Sequence, residues 1–210
     1  MVSGSNRWRR DLLESERMKI GVLALQGDYR EHLQVLQALG VETAEVRLPK
    51  DLEGIAGLIV PGGESTTMGR LAARYDLIEP LRVFARAKPV WGTCAGMILL
   101  AKEIGREQPT LGIMNILVER NAFGRQVNSF EIDLDVPILL EGNAKPFPAV
   151  FIRAPMLVAV KGDATLIAQL PDGTGVAAQE GKWLATAFHP ELTEDNRFHR
   201  YFLSLVEHHP

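Results

Sequence analysis

The 210-residue chain has a single cysteine. One thiol cannot close an internal disulfide, and it cannot build a cysteine-rich zinc site. The lack of disulfides fits a reducing, cytoplasmic setting. No apolar run reaches the roughly 18 residues of a membrane span. Neither sign of charge dominates: 23 Lys and Arg against 26 Asp and Glu leave a net charge of −3. That gives no electrostatic case for nucleic acid or an anionic membrane surface. The first 17 residues, MVSGSNRWRRDLLESER, lack the apolar middle of a secretory signal. They read as a mobile extension, an upstream translation start or a cloning scar. What is present is ordinary globular composition, 46% hydrophobic and 23% charged. Residues 18–210 are expected to form one domain with a sizeable core.

Short apolar strands alternate with helical patterns, the mark of a parallel α/β sheet. KIGVLAL (19–25), ETAEVRL (42–48), IAGLIVPGG (55–63) and KPVWGTC (88–94) are the strands. YREHLQVLQALG (29–40) places Leu33, Leu36 and Leu39 one helical turn apart, with Gly40 as a stop. Helices are also expected around 67–74, 77–87 and 95–104. In the second half, ILVERN, SFEIDL, AVFIRAP, TLIAQL, GVAAQE and WLATAF form a mixed or antiparallel extension of the sheet. A last helix follows, with Thr193 as its cap and acids in its first turn.

A lone cysteine is by default a buried structural thiol. Its surroundings here say otherwise. Gly92-Thr93-Cys94-Ala95-Gly96 has the Gly-x-nucleophile-x-Gly pattern of a nucleophile elbow. The flanking glycines let strand and helix pack closely. The sulfur then stands beyond the carboxyl end of a strand, where open α/β sheets bind ligands. The following helix favours a thiolate, and the Ala95 N–H is placed to donate to an oxyanion.

A thiolate in acyl transfer needs a base, and the base an orienting group. Of five histidines, His32 and His199 fall in helices and His208 and His209 at the C-terminus; all four are expected at the surface. His189 directly follows an apolar strand, with Glu191 two residues on. In an extended segment that spacing puts both side chains on one side. Cys94, His189 and Glu191 could also ligate zinc, but this would leave the elbow unexplained. VPGGESTT (60–67) lacks the lysine of a phosphate-binding loop. Its glycines allow backbone amides near a ligand, and Gly63 is the expected second oxyanion donor.

Together these pieces resemble a class I, triad-type glutamine amidotransferase. LALQGDYREH (23–32), PGGESTTMGRL (61–71), GTCAGMILLAKEI (92–104), LVERNAFGRQVNSFE (117–131), VFIRAP (150–155) and FHPELTED (188–195) are similar to the glutaminase subunits of pyridoxal 5′-phosphate synthases. The resemblance runs from Lys19 to the C-terminus. It implies a three-layer, flavodoxin-like fold with a mostly parallel central sheet. It makes Cys94 the nucleophile, His189 the base and Glu191 its orienter. Gly63, Glu64 and Ser65 match the glutamine-contacting loop, with Gly63 in the oxyanion hole. Arg120, Ile152 and Arg153 match further glutamine-binding positions, and an arginine fork suits the substrate carboxylate. Gln26 and Gly27 match a loop that responds to the partner subunit.

The implied reaction hydrolyses L-glutamine through a cysteinyl thioester, with no metal or organic cofactor. Ammonia passes to a (β/α)₈-barrel synthase subunit, in a complex of twelve synthase and twelve glutaminase subunits. The rivals are another amidotransferase, such as the glutaminase of imidazole glycerol phosphate synthase, a cysteine peptidase or stress-type hydrolase, and a non-catalytic regulatory scaffold. VERNAFGRQ and FIRAP weigh against the first, and the intact Cys94, His189 and Glu191 against the last.

Overall fold

Short, largely apolar strands dominate the centre of the molecule, and they pair in parallel. The computed structural model describes residues 18–120, 129–139 and 145–209. The extension expected at residues 1–17, and most of VERNAFGRQ, lie outside them. The chain runs β1 (Lys19–Leu23), α1 (Tyr29–Ala38), β2 (Glu42–Val46), β3 (Gly57–Val60), α2 (Ser65–Arg74), α3 (Ile78–Ala87), β4 (Val90–Thr93) and α4 (Ala95–Leu100). It continues through β5 (Ala101–Glu103), β6 (Met114–Glu119), β7 (Ser129–Leu134), β8 (Phe147–Ile152) and β9 (Met156–Val160). β10 (Thr165–Gln169), β11 (Gly175–Glu180), β12 (Trp183–Thr186) and α5 (Arg197–His208) complete it.

The order β2-β1-β3-β4-β12-β11-β9-β6-β5, with β10 beside β11, makes one ten-stranded sheet. Its first five strands are parallel throughout. β3 and β4 are buried at every position, as expected where helices cover both faces of a parallel sheet. The expected extension is there: β11 pairs antiparallel with β10, β12 and β9, and β9 with β6. β7 and β8 form a separate antiparallel ribbon. Trp91, Phe198 and Phe202 pack together under the sheet; each such buried side chain contributes roughly 1.5–3 kcal/mol.

Three expectations need correction. The helix from Ala95 ends at Leu100, and Ala101–Glu103 is a strand parallel to β6. An uninterrupted apolar run carries no period that separates buried helix from strand. MLVAV (156–160), not among the expected strands, is β9, joining β6 to β11. The last helix starts at Arg197 and has no acid in its first turn. Thr193 instead closes a local turn by accepting from the Asp195 N–H at 3.2 Å, and the Asp195 carboxylate takes the Arg197 N–H at 3.0 Å.

Candidate active site

Cys94 sits between β4 and α4 with φ 47° and ψ −105°. Only three non-glycine residues among those described have positive φ: Asp76, Cys94 and Arg153. Such conformations cost on the order of 1–3 kcal/mol and persist where the surroundings enforce them. Two contacts enforce this one. The Cys94 N–H donates to the Thr186 carbonyl of β12 at 2.8 Å. A Cβ on Gly96 would lie 1.9 Å from the Val60 carbonyl oxygen, so only glycine lets α4 settle this close to β3. The Ala95 N–H is the first of the helix amides left without an intrahelical acceptor, directly after Cys94.

β12 brings His189. It runs parallel to β4 with Thr186 opposite Thr93, so the segment leaving β12 emerges beside the elbow. The His189 N–H donates to the Val150 carbonyl at 2.8 Å, tying this segment to β8. Pro190–Leu192 form a 3₁₀ turn rather than the expected extended segment, because Pro190 suits the first position of a helical turn. The turn still brings His189 and Glu191 together: Nδ1 to Oε1 is 2.7 Å, and both side chains are buried. Nε2 remains for the sulfur. Burial disfavours the imidazolium, but the Cys94 sulfur and Glu191 outweigh it and raise the His189 pKa to about 10. Burial pushes the Glu191 carboxyl up, and the His189 hydrogen bond pulls it back.

The expectation that His32 and His199 lie at the surface is wrong; both are completely buried. His32 Nδ1 is 3.0 Å from His199 Nε2, and His32 Nε2 is 3.2 Å from Thr93 Oγ1 and 3.3 Å from Glu191 Oε2. The signal was available. His32 stands four residues before the buried Leu36, and His199 three before the buried Phe202, so each shares the apolar face of its helix.

The Gln26–Asp28 and Pro61–Glu64 segments interlock at the same end of the sheet. Gln26 Oε1 accepts from the Glu64 N–H at 2.7 Å, and the Asp28 N–H donates to the Gly62 carbonyl at 3.1 Å. A Cβ on Gly62 would fall 2.4 Å from His189 Cε1, so this glycine clears room for the imidazole. Asp28 Oδ2 lies 3.5 Å from His189 Nδ1. Neither Gly62 nor Asp28 was expected in the site, though both lie in loops after parallel strands, where the sheet binds ligands.

Glu64 caps α2, taking the Thr66 and Thr67 amides at 3.2 and 2.6 Å. Hydrogen bonds from Thr67 above all, with Thr66 and Arg120, lower its pKa to about 2. Arg120 also donates to Thr66 Oγ1 at 2.8 Å, and Ser65 is buried beside Gln108. The Ile152 carbonyl is 3.9 Å from Cys94 Sγ, and the exposed Arg153 follows with φ 43°. Thus Cys94, His189, Glu191 and the Ile152 backbone converge on the elbow. Glu64, Ser65 and Arg120 form an adjoining cluster.

Asp28, His189 and Glu191 bring ligand atoms within 4.8 Å of one another. Holding a cation there would cost the Nδ1–H bond that Glu191 accepts, so this donor set fits a triad better than a metal centre. No helix among the described residues is long and apolar enough to cross a membrane.

The model of the SNO glutamine amidotransferase family matches residues 22–208. The pyridoxal 5′-phosphate synthase subunit PdxT of Moorella thermoacetica is 56% identical over 191 residues, covering 90% of this chain and 100% of that one. The protein of the same name from Herpetosiphon aurantiacus is 58% identical over 193 residues, with 90% and 100% covered. A solved structure described as a glutamine amidotransferase superposes with a TM-score of 0.83 at 52% identity, covering 90% of this chain and 98% of that one. The α/β architecture is therefore that of the class I, flavodoxin-like amidotransferases.

Proposed function

The chain belongs to the SNO glutamine amidotransferase family, and from that premise we propose that it is the glutaminase subunit of a pyridoxal 5′-phosphate synthase. It hydrolyses L-glutamine to L-glutamate and delivers the ammonia to a synthase subunit. The observation that carries the site assignment is the Cys94 elbow facing a buried His189–Glu191 pair at 2.7 Å.

The Cys94 thiolate attacks the amide carbon of glutamine, forming a C–S bond and an oxyanion. The Ala95 N–H and a donor from the Gly63 loop receive that oxyanion. The imidazolium of His189, favoured through neutral pH by its raised pKa, gives its Nε2 proton to the departing nitrogen. Ammonia leaves and a thioester remains. His189, now neutral, takes a proton from water as that water attacks the thioester. The second oxyanion collapses, expels the thiolate and releases glutamate. Arg120 and the backbone around Ile152 and Arg153 hold the substrate. Arg120 is already drawn to Glu64 at 3.0 Å, so a substrate carboxylate has to share or displace that pair.

The partner is a (β/α)₈-barrel subunit in an assembly of twelve synthase and twelve glutaminase chains in the cytoplasm. Gln26 and Gly27 lie against the oxyanion loop, where docking is able to act on it. Completing one oxyanion donor there is worth roughly 3–4 kcal/mol. The experiment is glutamate release from glutamine with and without the purified synthase subunit. Strong stimulation is expected; equal turnover in its absence would overturn partner control, and none in either condition would leave a regulatory scaffold. Glu191→Gln is expected to lower kcat by roughly 10²- to 10⁴-fold with little change in KM. An unchanged kcat with a raised KM would move Glu191 into substrate binding.

A further inference from the structure

Glu191 buries two carboxylate oxygens. Oε1 accepts the hydrogen bond of His189 Nδ1–H; Oε2 has no aligned hydrogen bond, yet His32 Nε2 stands 3.3 Å away. A buried carboxylate oxygen left without a donor is costly, and a hydrogen bond to a charged group is worth more than one between neutral groups. We propose that His32 is a positioning residue for the glutaminase reaction, its Nε2–H holding the outer oxygen of Glu191 while His199 fixes the tautomer that makes this possible. The proposal rests on Cys94, His189 and Glu191 acting as a glutaminase triad.

The tautomer follows from counting protons. Burial holds His32 well below the usual histidine range and His199 at about 3, so each ring carries one. Between His32 Nδ1 and His199 Nε2, 3.0 Å apart, one nitrogen must donate. If His32 donated, the His199 proton would sit on Nδ1, which is buried with no partner. The bare Nε2 of His32 would then face the Glu191 carboxylate. If His199 donates instead, only an unfilled acceptor is left on its Nδ1, a lesser cost than an orphaned buried N–H. The His32 proton then sits on Nε2, between Glu191 Oε2 and Thr93 Oγ1 at 3.2 Å. The Trp91 ring meets both imidazoles edge-on, at 5.6 Å from His32 and 5.0 Å from His199, and fixes their planes. His189, with Asp28 beside it, is the remaining titratable group facing this cluster. His32 thus touches the residue before the nucleophile and the acid of the triad at once.

The test compares His32→Gln, His32→Asn and His32→Leu in the full chain assembled with the synthase subunit. A glutamine amide nitrogen falls near the imidazole Nε2 position; an asparagine amide falls near Nδ1. We expect kcat to drop about 10- to 100-fold in the Asn and Leu variants, with KM for glutamine nearly unchanged. The Gln variant should recover most of the loss. A second readout needs no turnover. On the full chain without the synthase subunit, iodoacetamide can alkylate only Cys94 among thiols, and the pH dependence of that rate reports the thiolate–imidazolium pair. Removing the donor to Glu191 weakens its support of the imidazolium, so the profile should move up by about one pH unit in Asn and Leu but not in Gln. A folded Leu variant with wild-type kcat and an unmoved profile would overturn the proposal, as would equal losses in Gln and Asn. If the wild type released no glutamate, the glutaminase assignment would fall, and the alkylation profiles would still decide the role of His32.

Discussion

Cys94→Ala is expected to bring glutamate release down to background, a loss of about 10⁶-fold in kcat. In the proposed mechanism the Cys94 sulfur is the atom that forms the thioester. The His189–Glu191 pair and the oxyanion donors survive the change, so any residual rate reflects water attacking bound glutamine. Stability should barely move. Alanine at φ 47° carries the same backbone strain as cysteine, and the backbone bond from residue 94 to Thr186 is kept. The loss is limited to one small buried thiol, on the order of 1 kcal/mol. Glutamate release, thermal unfolding and binding of the synthase subunit should be measured on the same preparation. Turnover within tenfold of wild type would remove Cys94 from the mechanism. Loss of activity together with loss of folding would make the cysteine a core residue first.

Gly96→Ala should have the largest effect on stability. In a helix the exchange is ordinarily favourable by about 1 kcal/mol. Here the new methyl would meet the Val60 carbonyl oxygen at 1.9 Å and the Val60 carbonyl carbon at 2.8 Å. Both belong to the backbone of a fully buried strand, which cannot swing aside as a side chain would. Either α4 lifts away from β3 or β3 bends, and the steric cost exceeds the propensity gain. A net loss of about 3 kcal/mol is expected, near the upper end of overpacking penalties, or roughly 6–12 °C in Tm for a chain of this size. Cys94 rides on the same turn, so activity should fall even where the protein stays folded. Gly40→Ala supplies the contrast: its φ is 78° but nothing lies within 4 Å. It should cost only about 1 kcal/mol of backbone strain and leave turnover intact. A Gly96→Ala Tm within 2 °C of wild type would show that α4 does not need this approach to β3.

The central strands were legible because they are buried on both faces, which turns them into nearly unbroken apolar runs such as GLIV and VWGT. The elbow was legible because its glycines bracket the only cysteine. The same uniform burial hid the end of α4, since an all-apolar stretch has no polar side to mark where its geometry changes. β9 was hidden beside the Arg153–Pro155 turn, whose polar and proline residues set the segment apart from the strands around it. His32 and His199 were missed for a different reason. Residue type alone puts a histidine at the surface, whereas the spacing to Leu36 and Phe202 places each on a buried face. Gly62 and Asp28 act through contacts between loops after β1 and β3 and near His189, and such contacts exist only once the sheet has assembled.

The pairing of β12 with β4 has a consequence in time. These neighbours are parallel, in register from Trp183 opposite Val90 to Thr186 opposite Thr93, yet nearly a hundred residues of chain separate them. On a ribosome adding roughly 5–20 residues per second, several seconds pass between synthesis of Cys94 and synthesis of His189. Throughout that interval the nascent chain holds Cys94 with no His189 beside it and no Thr186 carbonyl to receive its amide. On the proposed mechanism, hydrolysis therefore cannot begin, and no ammonia can be released, before His189 and Glu191 have been made.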